Sequence, residues 1–529
     1  MNLKIGLTKE KPGWEIVLGQ EGIPNKVVSK SEIKPDEISA LIVNGLEYNG
    51  LKEIILDYVR AGGAVLVDSA ASSDLLNIKP KKKRVRYLIS DPDSIYSDIG
   101  LLDINQSLKL LPVKKAISLD NGLQIKLINV CKGSIIVLPF DINEAILDIS
   151  VTRLKFYPPG SREFPSERVA RISKGRIRRI VRISLEFLHH SRHLPFIKLW
   201  YYPDGAMNVF LFRVDTDFCR LSEVKELYQV CKKNSISGSW FIETKSAETW
   251  IHKFREMEDQ EIGLHSYWHQ VFKDYQTNYS NIRMGLDLLD RVDLKPDGFA
   301  APFGEWNESL GRAVEKAGFI YSSEFCLNYD DLPFYPYIKT GFSKVLQIPI
   351  HPIGIGRLAR SHFSESEMWK YFRYILDSKI RLNEPIILYY HPSSKHVMVL
   401  DRIFKYMSSD VILKMSFYEF AKWWEKRARL QINARIEANN ILIDKWSEFP
   451  ASVWLKVSSL QGSFITPLKS KIDIGKAGWE KEKTKLGPAH DASKLRRFHW
   501  RDLLYDLESI RAKYETLPKG KNIIKFGAR

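Results

Sequence analysis

The sequence predicts an α/β protein whose central part is a distorted (β/α) barrel, preceded by a doubly wound α/β domain and followed by a small β appendage. Short apolar runs typical of buried strands alternate with amphipathic stretches typical of helices through most of the chain. Two polar motifs directly follow such runs: Asp215-Thr-Asp217 comes after residues 208–214, and His265-Ser-Tyr-Trp-His269 follows a later run. Parallel α/β folds build their sites at the carboxyl ends of strands, so these motifs mark the candidate site.

Length and charge bound the architecture and the partners. A chain of 529 residues exceeds what one core supports and should hold about three domains. The net charge of +17 predicts a basic surface that favours polyanionic partners: an acidic glycan, an anionic membrane face or nucleic acid. The charge does not choose among them. The densest basic run, residues 79–86, is interpreted as a solvated loop before a strand rather than as a nuclear localisation signal.

Cysteine usage and apolar runs bear on the compartment. The 4 cysteines show no CxxC spacing, so neither a disulfide framework nor a cysteine-rich zinc site is expected. The first ten residues lack the continuous apolar core of a signal peptide. No run of about eighteen apolar residues occurs, so no membrane span is predicted. We therefore expect a cytoplasmic protein.

Residues 1–145 are predicted to form the doubly wound domain. Between Gly50 and Gly62 apolar residues follow the i, i+3, i+4, i+7 spacing of a helix face, and the strand 64–67 follows at once. This passage resembles the glutamine-amidotransferase-like flavodoxin fold, whose enzymes place a cysteine nucleophile on a tight strand-to-helix turn. Here no cysteine precedes Cys131, which lies in a predicted hairpin. We therefore expect the fold without the amidase chemistry, in a structural or ligand-sensing role.

Two further segments flank the predicted barrel. Residues 146–200 are interpreted as a basic connector that contains one helix with a basic flank. Residues 429–529 are expected to form short strands, in which Trp454 is assigned to core packing rather than to sugar stacking, followed by an amphipathic helix over 493–514. Two heptads are too few for a free coiled coil, so we expect this helix to dock on its own chain or on a partner.

The catalytic domain is predicted to span residues 201–428. Its strands alternate with helices, which favours a parallel sheet closed or nearly closed into a barrel. We identify about seven strands against the usual eight, so we expect an incomplete barrel. The predicted helices cover residues 222–233, 247–258, 280–291, 307–317 and 365–378.

The residue types of the two polar motifs suit a catalytic metal. Asp215 and Asp217, two apart on an extended strand, can face one pocket, and His265 and His269 share a face if the backbone turns helical there. Two imidazoles and a carboxylate are typical protein ligands of catalytic zinc, which keeps a position open for water. The spare carboxylate is then the natural base. Either motif alone occurs by chance in a chain with 12 histidines and 63 acidic residues, so the combination carries the interpretation.

These residues give the segment from about 205 to 425 a resemblance to the polysaccharide deacetylase family, the NodB-homology domain of carbohydrate esterase family 4. The family's acidic pair is matched by Asp215 and Asp217, although one residue separates them here. The family's His-Ser/Thr-x-x-His motif is matched fully by His265 to His269.

Two weaker motifs follow in the family's order. The Arg-x-Pro-Phe/Tyr-Gly motif appears as residues 300–304, with Ala300 in place of the arginine, and the Leu-x-His motif appears as residues 389–391. The remaining family motif has no clear counterpart, and residues 322–325 are the nearest candidate.

The resemblance implies a metal-dependent hydrolase that removes N-acetyl groups from an amino-sugar glycan or its precursor. Asp217, His265 and His269 would hold a divalent ion, of which zinc is favoured. Asp215 would take the proton of the attacking water, and His391 would protonate the departing amine. The roles of Asp215 and Asp217 can be exchanged, because the residue between them leaves the alignment open.

Further residues are assigned around this constellation. A backbone N–H near Phe303 would stabilise the oxyanion. Trp268 and Trp306 are candidates for lining a sugar cleft, with barrel packing as the alternative for each. Ala300 cannot orient the catalytic carboxylate as the family's arginine does, and Arg213, two residues before the proposed base, is the nearest substitute.

Two other functions remain open from the sequence. One is a hydrolase of the same fold that acts on another C–N amide, such as a small cyclic amide or a formamide. The other is a catalytically weak glycan-binding or scaffold protein that keeps its metal structurally. The expected partner is an N-acetylated glycan or a lipid-linked sugar; no nucleic acid is expected, and contact with an anionic surface is compatible with the charge.

Overall fold

The computed structural model describes residues 1–46, 50–112, 116–156, 165–409, 411–444 and 451–481, together with positions 504 and 507. The chain divides into two compact units. The first comprises Met1–Asp148, Ile172–Gly205 and the described part of Lys426–His490, and the second contains Ile149–Arg171 and Ala206–Glu425. Most of the predicted connector and the β appendage therefore group with the N-terminal segment. No helix in the described ranges combines the length and apolarity needed to cross a bilayer.

The chain through residue 199 contains these elements: β1 Ile5–Leu7, α1 Pro12–Glu21, β2 Asn25–Val27, β3 Ala40–Val43, α2 Leu51–Arg60, β4 Ala64–Val67, α3 Ser72–Leu76, β5 Lys81–Ile89, β6 Leu101–Leu110, β7 Ile117–Asp120, β8 Ile125–Val130, β9 Gly133–Val137, α4 Ile142–Leu147, β10 Val151–Lys155, β11 Ser166–Ala170, α5 Lys174–Ser191 and β12 Phe196–Leu199.

The remaining elements are β13 Asn208–Asp215, α6 Leu221–Lys233, β14 Ser239–Ile242, α7 Thr244–Ala247, β15 Glu261–Leu264, α8 Tyr275–Asp290, β16 Gly298–Phe299, α9 Glu308–Ala317, β17 Tyr321–Ser322, β18 Tyr337–Ile338, β19 Gly341–Phe342, β20 Leu346–Gln347, α10 Ile355–Arg360, α11 Glu365–Leu382, β21 Ile386–Tyr390, α12 Val397–Tyr406, β22 Ile412–Lys414, α13 Phe417–Ala428, β23 Ala434–Glu437, β24 Asn440–Ile443, β25 Trp454–Ser459, β26 Gly462–Pro467 and β27 Lys471–Asp473.

The first unit is built on a doubly wound sheet, as predicted. Its strands run in the order β2-β1-β3-β4-β9-β8-β7, and the first five are parallel. Helix α2 buries the predicted apolar face, including Ile55 and Val59, and the chain then turns at Gly62 (φ 103°) into β4. Helix α5, from the predicted connector, lies against β3, β4 and β9. The hairpin predicted around Cys131 is also present, as β8 and β9.

The interpretation of residues 79–86 as a solvated loop is wrong for most of the run. Residues 81–86 belong to β5, which pairs antiparallel with β6. The basic side chains remain in water on this outer strand, while β6 buries its apolar residues. Long charged side chains are common on exposed edge strands because they discourage pairing with other chains. The basic side chains can therefore stay in water while their backbone forms a strand.

The second unit contains a half-barrel. In the part of the chain that the structure describes, eight parallel strands run in the order β20-β17-β16-β15-β14-β13-β21, with β22 also paired to β13. Beyond β20, the His351 N–H donates to the Ile387 carbonyl of β21 at 2.9 Å, which brings the two ends of the sheet together. The expectation of an incomplete (β/α) barrel is confirmed.

Four of the five helices predicted for this unit are present, and α10 and α12 are helices that the sequence did not predict. Residues 247–258 were predicted as a continuous α-helix, but α7 ends at Ala247 and a separate 3₁₀ turn covers Ile251–Glu256. Thr249, Trp250 and Ile251 are poor helix formers, and this run interrupts the helical hydrogen bonding. The remaining four correspond to α6, α8, α9 and α11, with shifted ends.

The C-terminal strands agree with the predicted β appendage. Strands β23, β24 and β27 form one small antiparallel sheet, and β25 pairs with both β12 and β26. The Trp454 ring packs on Gly205 (φ 72°), where an added Cβ would lie 2.9 Å from it. Packing therefore accounts for this tryptophan. The helix predicted over 493–514 lies outside the described residues, apart from positions 504 and 507.

Candidate active site

Strand β13 delivers the first motif, and its two carboxylates bind different partners. Asp215 is the last residue of the strand, whereas Asp217 lies in the turn that follows, next to Phe218 at φ 49°. The Thr216 hydroxyl bridges this turn to β14: it donates to the Phe241 carbonyl at 3.2 Å and accepts from the Glu243 N–H at 3.0 Å. The strand ends between Asp215 and Asp217, so the regular alternation of a strand does not extend to Asp217, although both carboxylates raise the pKa of His265.

Side chains two apart on β13 point the same way, and this places Arg213 beside Asp215. The guanidinium donates from Nε to Asp215 Oδ1 at 2.6 Å and from Nη2 to Oδ2 at 2.8 Å. The side chains are 1% and 5% exposed. Arg213 also donates to the Ser323 carbonyl at 2.5 Å. Burial lowers the pKa of Arg213, but Asp215 more than offsets it and holds the pKa above the ordinary value. Arg213 thus supplies the cation that Ala300 cannot.

The second motif forms a loop rather than the helical turn that was considered. His265 directly follows β15, and Ser266 adopts φ 68°, a left-handed conformation that ends the strand direction. Asn281 of α8 holds the loop: its side chain accepts from the Trp268 N–H at 2.7 Å and donates to the carbonyls of Trp268 and Gln270 at 3.1 Å each. The imidazoles of His265 and His269 come together with ring centroids 5.1 Å apart.

Both histidines point their Nε2 atoms at Asp217. His265 Nε2 lies 3.0 Å from Asp217 Oδ1, and His269 Nε2 lies 3.0 Å from Oδ2. Three of these atoms, Asp217 Oδ1 and the two Nε2 atoms, are buried without a hydrogen-bond partner in the described structure. Burying polar atoms without partners is costly, so converging lone pairs of this kind suit a cation. The carboxylate and the two imidazoles fit a divalent metal ion.

The surroundings of His265 favour the tautomer that a metal ligand needs. Its Nδ1 lies 2.7 Å from the Ala300 carbonyl, and donation of Nδ1–H leaves a lone pair on Nε2. Burial lowers the pKa of His265, but the carboxylates of Asp217 and Asp215 outweigh it and raise the pKa. Burial raises the pKa of Asp217, and the surrounding histidines outweigh that to hold it well below its usual range. Ala300 therefore contributes to the site through its backbone.

His391 joins the same carboxylate from the end of β21. Its Nε2 lies 3.2 Å from Asp217 Oδ2, and its ring is 26% exposed. Tyr389 packs edge-on against it at 5.5 Å. Asp217, His265 and His269 have ligand atoms within 4.8 Å of one another, and His391 is outside that group. A histidine beside the metal-binding residues and open to solvent can exchange a proton with a bound substrate.

Two phenylalanines flank His269. The Phe303 ring lies 4.7 Å from the imidazole, and the Phe218 ring lies 5.2 Å from it, both edge-on. Phe303 has φ 58°, a conformation that costs free energy in a non-glycine residue and recurs at functional sites. Phe218 is 55% exposed and escaped the sequence interpretation, although its place beside Asp217 was a usable signal.

The two tryptophans assigned to the cleft have different environments. Trp268 is half-buried, with the Lys245 ammonium 3.0 Å from the centroid of its ring. Trp306 is 9% exposed and packs against Gly311 of α9, where an added Cβ would lie 3.0 Å from the ring. Packing accounts for the position of Trp306, and Trp268 is partly exposed.

Residues 322–324, at the end of β17, contribute a support that the sequence did not reveal. Ser323 binds Arg213, and the Glu324 carboxylate accepts from the Ala301 N–H at 3.1 Å and from the Ser322 hydroxyl at 2.9 Å. Burial raises the pKa of Glu324 to about 7. This segment therefore contacts both the Arg213–Asp215 pair and the chain beside Ala300.

The site combines a carboxylate–histidine–histidine cluster with a separate buried aspartate, and this combination defines a candidate metal-dependent hydrolase. Residues 217–322 match the family model for polysaccharide deacetylase. None of the curated proteins matches the chain.

Solved structures similar to the chain include two described as polysaccharide deacetylases and one described as a carbohydrate esterase. A protein described as a polysaccharide deacetylase from Mycobacterium smegmatis is 16% identical, with a TM-score of 0.37, over 43% of this chain and 94% of that one. A probable polysaccharide deacetylase from Pseudomonas aeruginosa PAO1 is 15% identical, with a TM-score of 0.36, over 42% and 92%. A family 4 carbohydrate esterase from Streptomyces lividans, in complex with acetate, is 13% identical, with a TM-score of 0.28, over 39% and 91%.

Proposed function

We propose that the second unit hydrolyses the N-acetyl group of an amino sugar in a glycan or glycan precursor, with a divalent metal ion, zinc being favoured, in the Asp217–His265–His269 cluster. The match of residues 217–322 to the polysaccharide deacetylase family supports the reaction class. The observation that carries the proposal is the convergence of the Asp217 carboxylate with two histidine Nε2 atoms at 3.0 Å, beside a buried aspartate that takes no part in the cluster.

The metal would be held by Asp217, His265 and His269. When bound, such an ion polarises a carbonyl and lowers the pKa of a water to about 7. The hydrogen bond from His265 Nδ1 to the Ala300 carbonyl keeps its Nε2 available as a ligand.

Asp215 is the proposed general base. Arg213 binds both of its oxygens in a planar fork, which fixes the orientation of the carboxylate. A carboxylate held in this way can take the proton of the attacking water as the C–O bond forms. Its position at the end of β13 places it two residues from Asp217.

His391 is the proposed general acid. The amine leaves the tetrahedral intermediate only when its nitrogen is protonated, because the deprotonated amine, R–NH⁻, is too strong a base to act as a leaving group. His391 Nε2 lies 3.2 Å from the Asp217 carboxylate, and the ring is partly exposed. The imidazole can therefore give a proton to the amide nitrogen and regain one from solvent. The backbone beside Phe303 remains the proposed oxyanion contact, since it carries the strained conformation next to His269.

Metal analysis of the full chain followed by acetate release from N-acetylated glycans tests the proposal. We expect about one equivalent of zinc per chain and metal-dependent acetate release. Release from small cyclic amides or formamides, with none from glycans, would instead identify an amidase of the same fold. Stoichiometric metal without turnover of either substrate class would identify a structural metal and overturn the enzymatic function.

A further inference from the structure

A cavity of about 450 Å³ opens at the carboxyl ends of β1 and β2 in the first unit. This volume lies within the range of about 300–1,000 Å³ typical of small-molecule sites. Its walls come from the segment after β1, the segment after β2 and the start of α2. None of the residues assigned to the hydrolytic site lines it. It is therefore a feature of the doubly wound fold itself.

The strand order places this cavity at the point where the sheet changes direction. From β1 the chain moves outward to β2 at one edge, then returns past β1 to β3 and continues through β4 to β9. Helical and loop connections therefore leave β1 and β3 on opposite sides, which opens a crevice at their carboxyl ends. Parallel α/β sheets bind ligands in that crevice. The cavity and the topology thus point independently to one location.

Hydrogen bonds hold the crevice in shape. The Thr8 N–H donates to the Ile42 carbonyl and the Val28 N–H to the Leu7 carbonyl, each at 3.0 Å, and these are the last links before the strands separate. The Thr8 hydroxyl donates to the Gly45 carbonyl at 2.9 Å. The Asn44 side chain donates to the Lys9 carbonyl at 2.9 Å. The floor is thus preformed.

The lining has an apolar wall and a cationic end. Val27 is 51% exposed at the cavity, and Ile33 and Leu51 are buried behind it. Lys9 and Lys30 line the same space and contribute positive charge to it. An apolar wall that remains open to solvent beside cations suits a ligand with both a ring and an anionic group.

Helix α2 adds positive potential at the cavity. Its first residue, Leu51, lines the space, and its N-cap is Gly50, which has no side chain to cap the first amides. The amides at a helix N-terminus favour a phosphate or carboxylate. Glu10 also lines the cavity and is exposed. Its carboxylate can accept hydrogen bonds from ligand hydroxyl groups, whereas it would repel a second anion.

We propose that this cavity binds a phosphate-bearing small molecule of nucleotide size, with its ring on Val27 and its phosphate near Lys9, Lys30 and the start of α2. This function is independent of the hydrolytic site in the second unit. It gives the first unit a ligand-binding role without a nucleophile.

Binding to the full chain is measured by calorimetry with AMP, UMP and UDP, compared with adenosine, uridine and inorganic phosphate. We expect at least one nucleotide to bind saturably at one site and the nucleosides to bind at least about tenfold more weakly, because the charged contacts are lost. Lys9→Ala and Lys30→Ala should each weaken nucleotide binding about tenfold, and Val27→Trp should block it by filling the exposed wall.

Lys34→Ala is the matched control, because Lys34 is exposed nearby and lies outside the cavity lining. It should bind as the unsubstituted chain does. Unchanged melting temperatures of the apo variants would show that they fold. Absence of nucleotide binding, equal binding of nucleosides, or nucleotide binding insensitive to all three cavity variants would overturn the proposal. Inorganic phosphate binding alone would also overturn it, since the apolar wall would then have no role.

Discussion

Arg213 binds Asp215 through two parallel hydrogen bonds of 2.6 and 2.8 Å, and the two residues belong to the same strand. Side chains two apart on a strand face the same way, so no second element is needed to bring this pair together. The position where the deacetylase resemblance leads one to expect arginine holds Ala300, whose carbonyl instead orients His265. The cation that orients the proposed base is thus supplied by the same strand that carries the base.

Replacing Arg213 should damage catalysis without emptying the metal cluster. Arg213→Lys keeps the charge but loses the planar fork, so we expect kcat for acetate release to fall about tenfold to a hundredfold. Arg213→Met leaves a buried carboxylate unpaired and should lower the free energy of unfolding by about 3–5 kcal/mol. Arg220→Lys, at a 78% exposed position, is the control and should change neither quantity. A normal kcat in Arg213→Lys would contradict a positioning role.

The two aspartates should separate metal binding from turnover. Asp215→Asn removes the proposed base, so acetate release should be abolished while metal analysis still finds a full equivalent. Asp217→Asn weakens a ligand, and His265→Ala removes one, so both should lose metal and activity together. Equal metal loss in the Asp215 and Asp217 variants would show that their roles are exchanged or shared.

His391→Gln tests the proposed general acid. We expect kcat to fall about 10²- to 10⁴-fold with zinc content unchanged, because only proton delivery is removed. His396→Gln, five residues further along and paired with Glu365, should retain activity. If His391→Gln lost zinc instead, the 3.2 Å approach to Asp217 would reflect a fourth metal ligand rather than an acid.

Asn281→Ala should loosen the loop that carries both histidines. The variant loses one hydrogen bond to the Trp268 N–H and two to backbone carbonyls, all inside the protein. We expect the free energy of unfolding to fall by about 1–3 kcal/mol and zinc affinity to fall with it. Arg283→Ala, on the exposed side of the same helix, is the control and should change both by much less. Unchanged zinc affinity in Asn281→Ala would show that the loop holds its shape unaided.

Glu324 should make stability fall as pH rises. Its pKa is about 7 in the folded protein against an ordinary value of 4.5, so between these values the folded state binds more protons than the unfolded state. The free energy of unfolding must then decrease from about pH 4.5 to 7. Glu324→Gln keeps an acceptor for the Ala301 N–H and removes the titration. Denaturant unfolding at pH 5 and 8 should show the native chain losing more stability than the variant, and equal losses would contradict the raised pKa.

Local sequence determined the elements of the site but not all of its geometry. The strand of residues 208–214, the ordering of the two motifs and the metal-ligand chemistry were all predictable, since apolar runs, periodicity and residue type act over short distances. The pairing of Arg213 with Asp215 was foreseeable for the same reason. An incomplete barrel was predicted from a count of about seven strands, whereas the sheet has eight strands in the described residues, so the strand count itself was too low.

Other features depended on contacts between distant segments. Asn281 contacts the histidine loop from the following helix, and Glu324 contacts Ala301 from the next strand. The local sequence around either residue does not predict these contacts. The difference in burial between Trp268 and Trp306 likewise depends on which neighbouring residues cover each ring. Residues 81–86 form a strand because a partner strand supplies backbone hydrogen bonds. Lysine side chains that remain in water are compatible with this pairing.

The sequence by itself determined which side chains could hold a metal and which strand ends would present them, because residue chemistry and periodicity are local properties. Only the tertiary structure decided that Asp217 leaves the strand to meet His265, His269 and His391 while Asp215 stays with Arg213. The physical reason is that the turn after β13 is fixed by hydrogen bonds from Thr216 to the neighbouring strand, and such partners are brought near only when the sheet forms.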